Sequence, residues 1–143
     1  MRIAIGSDHG GYKLKEEVKS YLSSEKYEYK DFGCNSEESC DYPDFGFPAA
    51  KAVSKKDFAR GILICKSGIG MSIVANKVKG IRAALCNNVD TAKKSREHND
   101  ANILVLSADA TDINKAKEII SIWLNTEFAG GRHKRRVEKI EGI

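Results

Sequence analysis

The sequence of 143 residues has no long hydrophobic run and no signal-peptide pattern. A helix that spans a membrane needs about 20 consecutive apolar residues, and no segment approaches that length. Because the first residues predict a strand rather than a cleavable leader, we expect a soluble cytoplasmic protein without a membrane partner. Internal repeats and low-complexity tracts are also absent. The length and the 41% hydrophobic content fit a single globular domain over residues 1–143.

The four cysteines have neither the spacing of a zinc site nor that of a redox pair. No two of them form a CxxC motif, and none has the histidine partners of a zinc site. At this chain length they do not resemble a disulfide framework, which favours a reducing compartment. The first strand is not followed by a GxGxxG loop, and no P-loop lysine follows the later glycine loop. A dinucleotide cofactor is therefore not indicated.

The net charge of +4 is concentrated in a basic segment over residues 130–140, which has no aromatic side chains to stack on bases. Arg132 and Arg136 lie four residues apart on one helical face, with Val137 and Ile140 as an apolar anchor. Paired arginines suit a phosphate or a carboxylate, so a small phosphorylated molecule fits better than a nucleic acid. Nucleic-acid binding is kept as an alternative, which a steep salt dependence of affinity would reveal.

Five short apolar runs alternate with helical patterns along the chain. This alternation predicts an α/β fold, with a five-stranded parallel sheet and helices on both faces. In the strand order 2-1-3-4-5, ligands bind in the crevice between the first and third strands. The loops over 6–11 and 65–70 both fall at that crevice, and the long connection over 33–44 is typical of a binding site. The strands are predicted at residues 3–6, 27–32, 61–65, 81–86 and 103–106.

Polar residues at the predicted helix starts provide candidate caps. Thr111 or Asp112 would cap one helix, and Asn87 or Asn88 would cap a shorter one. Pro48 suits the first turn of a third helix, because proline needs no hydrogen-bond acceptor there. The helices themselves are predicted around residues 14–22, 49–53, 71–78, 89–92 and 113–124.

The residues 61–77 combine a buried strand, a glycine loop and a helix start. Such a loop exposes backbone N–H groups at a helix N-terminus, where anions bind and where a cysteine can be held as thiolate. Cys65 ends the strand and adjoins this loop, which favours a reactive thiol. On burial alone a structural role would be favoured about two to one, and the other three cysteines keep that interpretation.

The three histidines differ in how strongly each indicates a functional role. His9 stands beside Asp8 in a strand-end loop, where functional residues are common. His98 lies near a helix end, where a dipole-complementing role and a functional role have even odds. His133 lies in the charged segment and is most simply a solvated residue.

Six motifs are distributed along the chain, namely IAIGSDHGG, DYPD, ILICKSGIGMSIVANK, GIRAALC, REHNDANIL and GGRHKRRVEKI. In combination they resemble the ribose-5-phosphate isomerase B family, which also includes galactose-6-phosphate and allose-6-phosphate isomerases. The resemblance runs nearly end to end and implies a Rossmann-like three-layer α/β/α sandwich with a C-terminal helical arm over residues 130–143. It also implies a homodimer or dimer of dimers with shared active sites, in which this arm packs on a partner, and neither metal nor cofactor.

The resemblance implies an aldose–ketose isomerase that interconverts ribose 5-phosphate and ribulose 5-phosphate through a cis-enediolate. Cys65 would be the base, and His98 the acid that opens the sugar ring. Asp8 would hold sugar hydroxyls, and His9 the phosphate or nearby oxygens. Substrate contacts are expected from Asp8, His9, Tyr42, Lys66, Ser67, Gly68, Ile69, Gly70, Asn99, Arg132 and Arg136.

Two residues depart from the family pattern. Lys66 stands where the family usually has glycine, and a positive φ there would cost roughly 1–2 kcal/mol. Its ammonium could instead favour the Cys65 thiolate. Asp109 stands where many members carry an arginine for the phosphate. The alternatives are therefore a hexose-6-phosphate isomerase and a catalytically silent sugar-phosphate-binding protein.

Overall fold

The computed structural model describes every residue, Met1–Ile143, and contains five strands and six α-helices. No helix in it is long and apolar enough to cross a lipid bilayer. A 3₁₀ turn, His9–Gly11, connects the first strand to the first helix. In chain order the elements are β1 (Arg2–Ser7), α1 (Tyr12–Ser24), β2 (Glu28–Asp31), α2 (Pro43–Ser54), β3 (Arg60–Cys65), α3 (Ile69–Asn76), β4 (Ala83–Leu85), α4 (Val89–Asn99), β5 (Ile103–Ser107), α5 (Ile113–Asn125) and α6 (Arg132–Glu141).

All strand pairings are parallel, which confirms the predicted α/β class with its five-stranded sheet. The strands lie in the order β2-β1-β3-β5-β4, so the last two exchange places relative to the predicted order 2-1-3-4-5. Burial explains this exchange. All five residues of β5 are buried, whereas the three residues of β4 are partly exposed. Because inner strands of a parallel sheet are covered on both faces, β5 takes the inner position and β4 the edge.

Two hydrophobic cores cover the two faces of the sheet, as the three-layer prediction requires. Alternation along β3 sends Ile62 and Ile64 to one core and Leu63 to the other. The first core contains α1, α4 and α5 and is centred on the fully buried Trp123. The second contains α2 and α3, with Met71 as its largest side chain from α3. The sheet is therefore covered on both faces, and the polar residues of the candidate site lie in its loops.

The helix starts agree with the predicted caps except at α2. The side chain of Asn88 accepts a hydrogen bond from the Thr91 N–H, and Asp112 caps α5 in the same way. Helix α2 begins at Pro43, so Pro48 lies inside the helix and not in its first turn. Pro43 already satisfies the start of the helix, because a first-turn proline gives up no helical hydrogen bond.

A buried ion-pair network joins α1 to the end of β2. Lys15 is completely buried, and its ammonium lies 2.5 Å from Asp31 Oδ2. Lys19 Nζ lies 2.9 Å from the same oxygen, while Asp31 Oδ1 accepts the Gly33 N–H at 2.8 Å. Burial acts to raise the pKa of Asp31, but hydrogen bonds from Lys15 and Lys19 outweigh it and hold the pKa below its usual value. The carboxylate therefore fixes the chain as it leaves β2.

We expect Asp31→Asn to lower the free energy of unfolding at pH 7 by about 2–3 kcal/mol, because it leaves the Lys15 ammonium buried without its main counter-charge. The folded pKa of Asp31 lies below the unfolded value near 4, so its contribution is present above about pH 4 and is lost as the pH falls further. The difference from the parent protein should therefore shrink below pH 3. Urea unfolding at both pH values measures it.

The matched control is Asp90→Asn, which removes an exposed pair with Lys94 on α4. Such exposed pairs contribute less than about 1 kcal/mol, so this variant should unfold almost like the parent. Equal losses in the two variants would contradict a special contribution from the buried network.

Candidate active site

Three loops meet at the carboxyl edge of the sheet, where the parallel strands end. They follow β1, β3 and β5, which are adjacent in the sheet. The loop after β5 is hydrogen-bonded to the loop after β3. The Ala108 N–H donates to the Cys65 carbonyl at 3.0 Å, and the Ser107 hydroxyl donates to the Lys66 carbonyl at 2.9 Å. The carboxyl ends of central strands therefore form one polar surface, where α/β folds bind their ligands.

The Cys65 thiol lies at the start of α3. Its sulfur accepts a hydrogen bond from the Gly68 N–H at 3.2 Å, although the residue is only 4% exposed. Gly68 adopts a left-handed conformation with φ 81° and immediately precedes α3. The first N–H groups of a helix have no internal acceptor, and their positive field stabilises a thiolate. The thiol borders the second core and accepts the Gly68 N–H, a donor that can stabilise a negative charge.

Polar side chains hold the loop after β1 in place. Asp8 is buried, and its Oδ1 accepts the Gly11 N–H at 3.0 Å. His9 Nδ1 accepts the Cys40 N–H at 3.2 Å, so a neutral His9 carries its proton on Nε2. Burial raises the pKa of the Cys40 thiol, and the nearby Cys34 thiol adds to the rise despite the hydrogen bond with His9. Sequence analysis missed the Cys40 amide, because every residue except proline carries such a donor.

Tyr42 covers the beginning of α3. A Cβ atom built on Gly70 would lie 2.7 Å from Tyr42 Cζ, so only glycine permits this approach of ring to helix. The ring is 40% exposed and forms a wall beside the glycine loop. Within that loop, the Ser67 hydroxyl accepts the Ile69 N–H at 3.2 Å, and the Ile69 side chain is exposed. These residues therefore lie together near Cys65, namely Tyr42, Ser67, Ile69 and Gly70.

Lys66 carries none of the backbone strain that a positive φ would impose. The only residues other than glycine with positive φ are Lys26, Lys56 and Asp100. The lysine therefore occupies its position without the strain of a left-handed backbone conformation. Its side chain is exposed.

His98 and Asn99 lie at the amino edge of the sheet, opposite Cys65. They end α4, which runs from the end of β4 back to the beginning of β5. Arg82, just before β4, donates through Nε to the Asn99 carbonyl at 3.0 Å. The five residues of β5 separate the two edges by roughly 13–16 Å. Within one chain, the side chain of His98 therefore does not reach the Cys65 thiol.

The basic helix α6 lies beside His98 at this amino edge. The ring of His133 stacks on His98 with a centroid distance of 4.3 Å, and Arg82 pairs with Glu141 at 2.5 Å. Desolvation lowers the pKa of His133, and the positive charges of His98, Arg132 and Arg136 add to that effect. Both arginines are exposed and form no ion pair within the chain. The candidate residues thus form two sets. One set surrounds Cys65 at the carboxyl edge of the sheet, and the other lies at the amino edge with His98 and α6.

Residues 3–140 match the family model described as Ribose/Galactose Isomerase. The chain belongs to this family. As a ribose/galactose isomerase family member, it is an aldose–ketose isomerase. The structure of ribose-5-phosphate isomerase B from Clostridium thermocellum is similar, with 54% identity, a TM-score of 0.98 and coverage of 99% of this chain and 96% of that one.

The names of two further members of the family mention sugar phosphates. The Mycoplasma genitalium ribose-5-phosphate isomerase B, solved with bound ribulose-5-phosphate, shares 40% identity at a TM-score of 0.94 and covers 99% of this chain and 94% of its own. A Pectobacterium atrosepticum relative named D-erythrulose-4-phosphate isomerase is 41% identical over 98% of this chain and 93% of its own length. Within this chain, no three His, Cys, Asp or Glu side chains converge as metal ligands.

We expect Gly68→Ala to destabilise the protein by about 2–4 kcal/mol, which combines strain at positive φ with overpacking. A Cβ atom at this position would clash with Leu85 Cδ1. Gly130→Ala is the matched control, because its φ is 70° and no atom lies within 4 Å of the new Cβ. It should lose only about 1–2 kcal/mol. Chemical denaturation measures both variants, and equal losses would contradict a packing requirement at Gly68.

Proposed function

We propose that this chain interconverts ribose 5-phosphate and ribulose 5-phosphate through a cis-enediolate. The observation that carries the proposal is the 3.2 Å hydrogen bond from the Gly68 N–H to the Cys65 sulfur at the start of α3. It supports a thiolate base beside backbone donors, at the edge of the sheet where family members are expected to bind sugar phosphates. The names of the C. thermocellum and M. genitalium relatives support ribose 5-phosphate as the substrate.

Proton removal next to a carbonyl needs both a base and a stabilised oxyanion. Cys65 takes the proton from C2 of the open-chain aldose and returns it to C1. The N–H groups of the glycine loop and the first turn of α3 stabilise the enediolate oxygen, and each such donor contributes about 3 kcal/mol. Asp8 binds sugar hydroxyls, His9 binds the phosphate end through Nε2–H, and Tyr42 forms the wall of the pocket. Ser67 offers a hydroxyl for ring opening.

The acid that opens the ring comes from a second copy of the chain. His98 lies at the amino edge, and the exposed Arg132 and Arg136 follow it on α6. A dimer that apposes opposite edges gives each site a thiol from one copy, with an imidazole, the Asn99 amide and two guanidinium groups from the other. Exposed isoleucines on α3 and α6 supply apolar surface for this contact, namely Ile69, Ile73 and Ile140. A dimer of dimers with the same shared sites is the larger alternative.

A shorter sugar phosphate is the second candidate substrate, because the P. atrosepticum relative carries the name of a four-carbon ketose-phosphate isomerase. Kinetics on ribose 5-phosphate, the four-carbon phosphate and allose or galactose 6-phosphate separate the candidates by kcat/KM. Binding without turnover of any of them would identify a silent sugar-phosphate-binding protein.

We expect Cys65→Ala to lower kcat for ribose 5-phosphate by at least about 10²–10⁴-fold, because a general base contributes a factor of this size. Substrate binding should persist. The matched control is Cys86→Ala, which truncates a buried cysteine in the core on the other face of the sheet. It should keep most of the activity, and full activity of the Cys65 variant in a coupled assay would refute the assignment of the base.

We expect subunits of Cys65→Ala and His98→Ala, each inactive alone, to regain activity when they are mixed and allowed to exchange. Half of the dimers would then be hybrids, and one of their two sites would contain both native residues, which gives about a quarter of the parent activity. A mixture of Cys65→Ala with the double variant is the control and should stay inactive. If the first mixture also stays inactive, the acid does not come from a partner.

A further inference from the structure

Lys66 is the only lysine or arginine in the three loops around the Cys65 thiol, over residues 8–11, 65–70 and 107–112. Its side chain is exposed. None of the ion pairs in the chain includes Lys66, so no carboxylate oxygen lies within 4.0 Å of its ammonium. The cation is therefore available to a ligand without first breaking an ion pair.

The side chain of Lys66 leaves the backbone beside the loop after β1. Cys65 turns toward the core formed with α2 and α3. Strand β3 ends at Cys65, and Lys66 is the first residue of the loop that follows. A Cβ atom built on Gly10 would lie only 3.1 Å from the Cβ of Lys66. Lys66 is therefore close to the loop that carries Asp8 and His9.

An acidic residue, Asp109, lies next to Lys66. The Asp109 N–H donates to the Lys66 carbonyl at 3.0 Å, so the two residues flank the same part of the site. Gly10 and Asp109, which adjoin Lys66, also line a cavity of about 420 Å³ between α1 and the loop after β5, although Lys66 itself does not line it. A carboxylate here repels a phosphate dianion, and an adjacent unpaired ammonium offsets that repulsion.

We propose that Lys66 is an additional ligand of the substrate's phosphate group, beside His9, and that its ammonium offsets the repulsion from Asp109. The inference rests on the proposed isomerase function. Because the phosphate takes no part in the proton transfer, Lys66 holds it equally in the ground state and in the transition state. Its removal therefore weakens binding and leaves the chemical step intact.

We expect Lys66→Gln to raise KM for ribose 5-phosphate about tenfold and to leave kcat within about twofold, since it removes only uniform binding. Lys66→Arg keeps the charge and should restore KM to near the parent value. Asp109→Asn should lower KM, because it removes the repelling carboxylate. The matched control is Lys115→Gln, which makes the same change of charge at an exposed position on α5 and should leave both constants unchanged.

Inorganic phosphate separates this inference from the function on which it rests. Its affinity, measured by calorimetry, should fall about tenfold in Lys66→Gln and stay unchanged in Lys115→Gln. An unchanged KM and phosphate affinity in Lys66→Gln would overturn the role of Lys66, while turnover by the parent protein would still support the isomerase. A fall in kcat at constant KM would also overturn it, because the lysine would then act on the chemical step. If the parent turns over no aldose phosphate yet the phosphate affinity depends on Lys66, the isomerase proposal fails and the anion site stands.

Discussion

The contact between the Cys65 sulfur and the Gly68 amide is the constraint around which the site is arranged. Strand β3 ends at Cys65, and α3 begins at Ile69. So short a connection requires one residue in the left-handed region, and Gly68 supplies it without a Cβ penalty. The last side chain of a buried strand therefore meets unpaired N–H groups of a helix. A longer loop would leave the sulfur in the core and the amides in water.

The order of strands in the sheet determines which loops surround this contact. Because β5 and not β4 lies beside β3, the segment after Ser107 packs against the thiol loop, and the segment after β4 lies farther out. The hydroxyl of Ser107 bonds to the Lys66 carbonyl and also accepts the Ala110 N–H at 3.2 Å. The backbone on both sides of the cysteine is thereby fixed by an element distant in sequence.

Local features were predictable from the sequence, and nonlocal ones were not. Hydrophobic periodicity located the strands and helices, and the capping residues Asn88 and Asp112 followed from their side chains. The exchange of β4 and β5 depends on relative burial across the whole sheet, which short apolar runs do not encode. The same limit applies to His98, whose motif indicates a function but whose edge of the sheet depends on the path of α4. At Pro48 a local rule chose the wrong one of two prolines, because Pro43 starts the helix.

The opposite locations of Cys65 and His98 have a consequence for how such an enzyme comes to work. If the two residues serve one reaction, folding alone completes no site, and competence is acquired only when copies meet. Specific activity would then fall on dilution, and newly synthesised chains would stay silent until their concentration passed the dissociation constant of the pair. Residues on the outer surface of α6 would be under the same selection as residues that touch substrate.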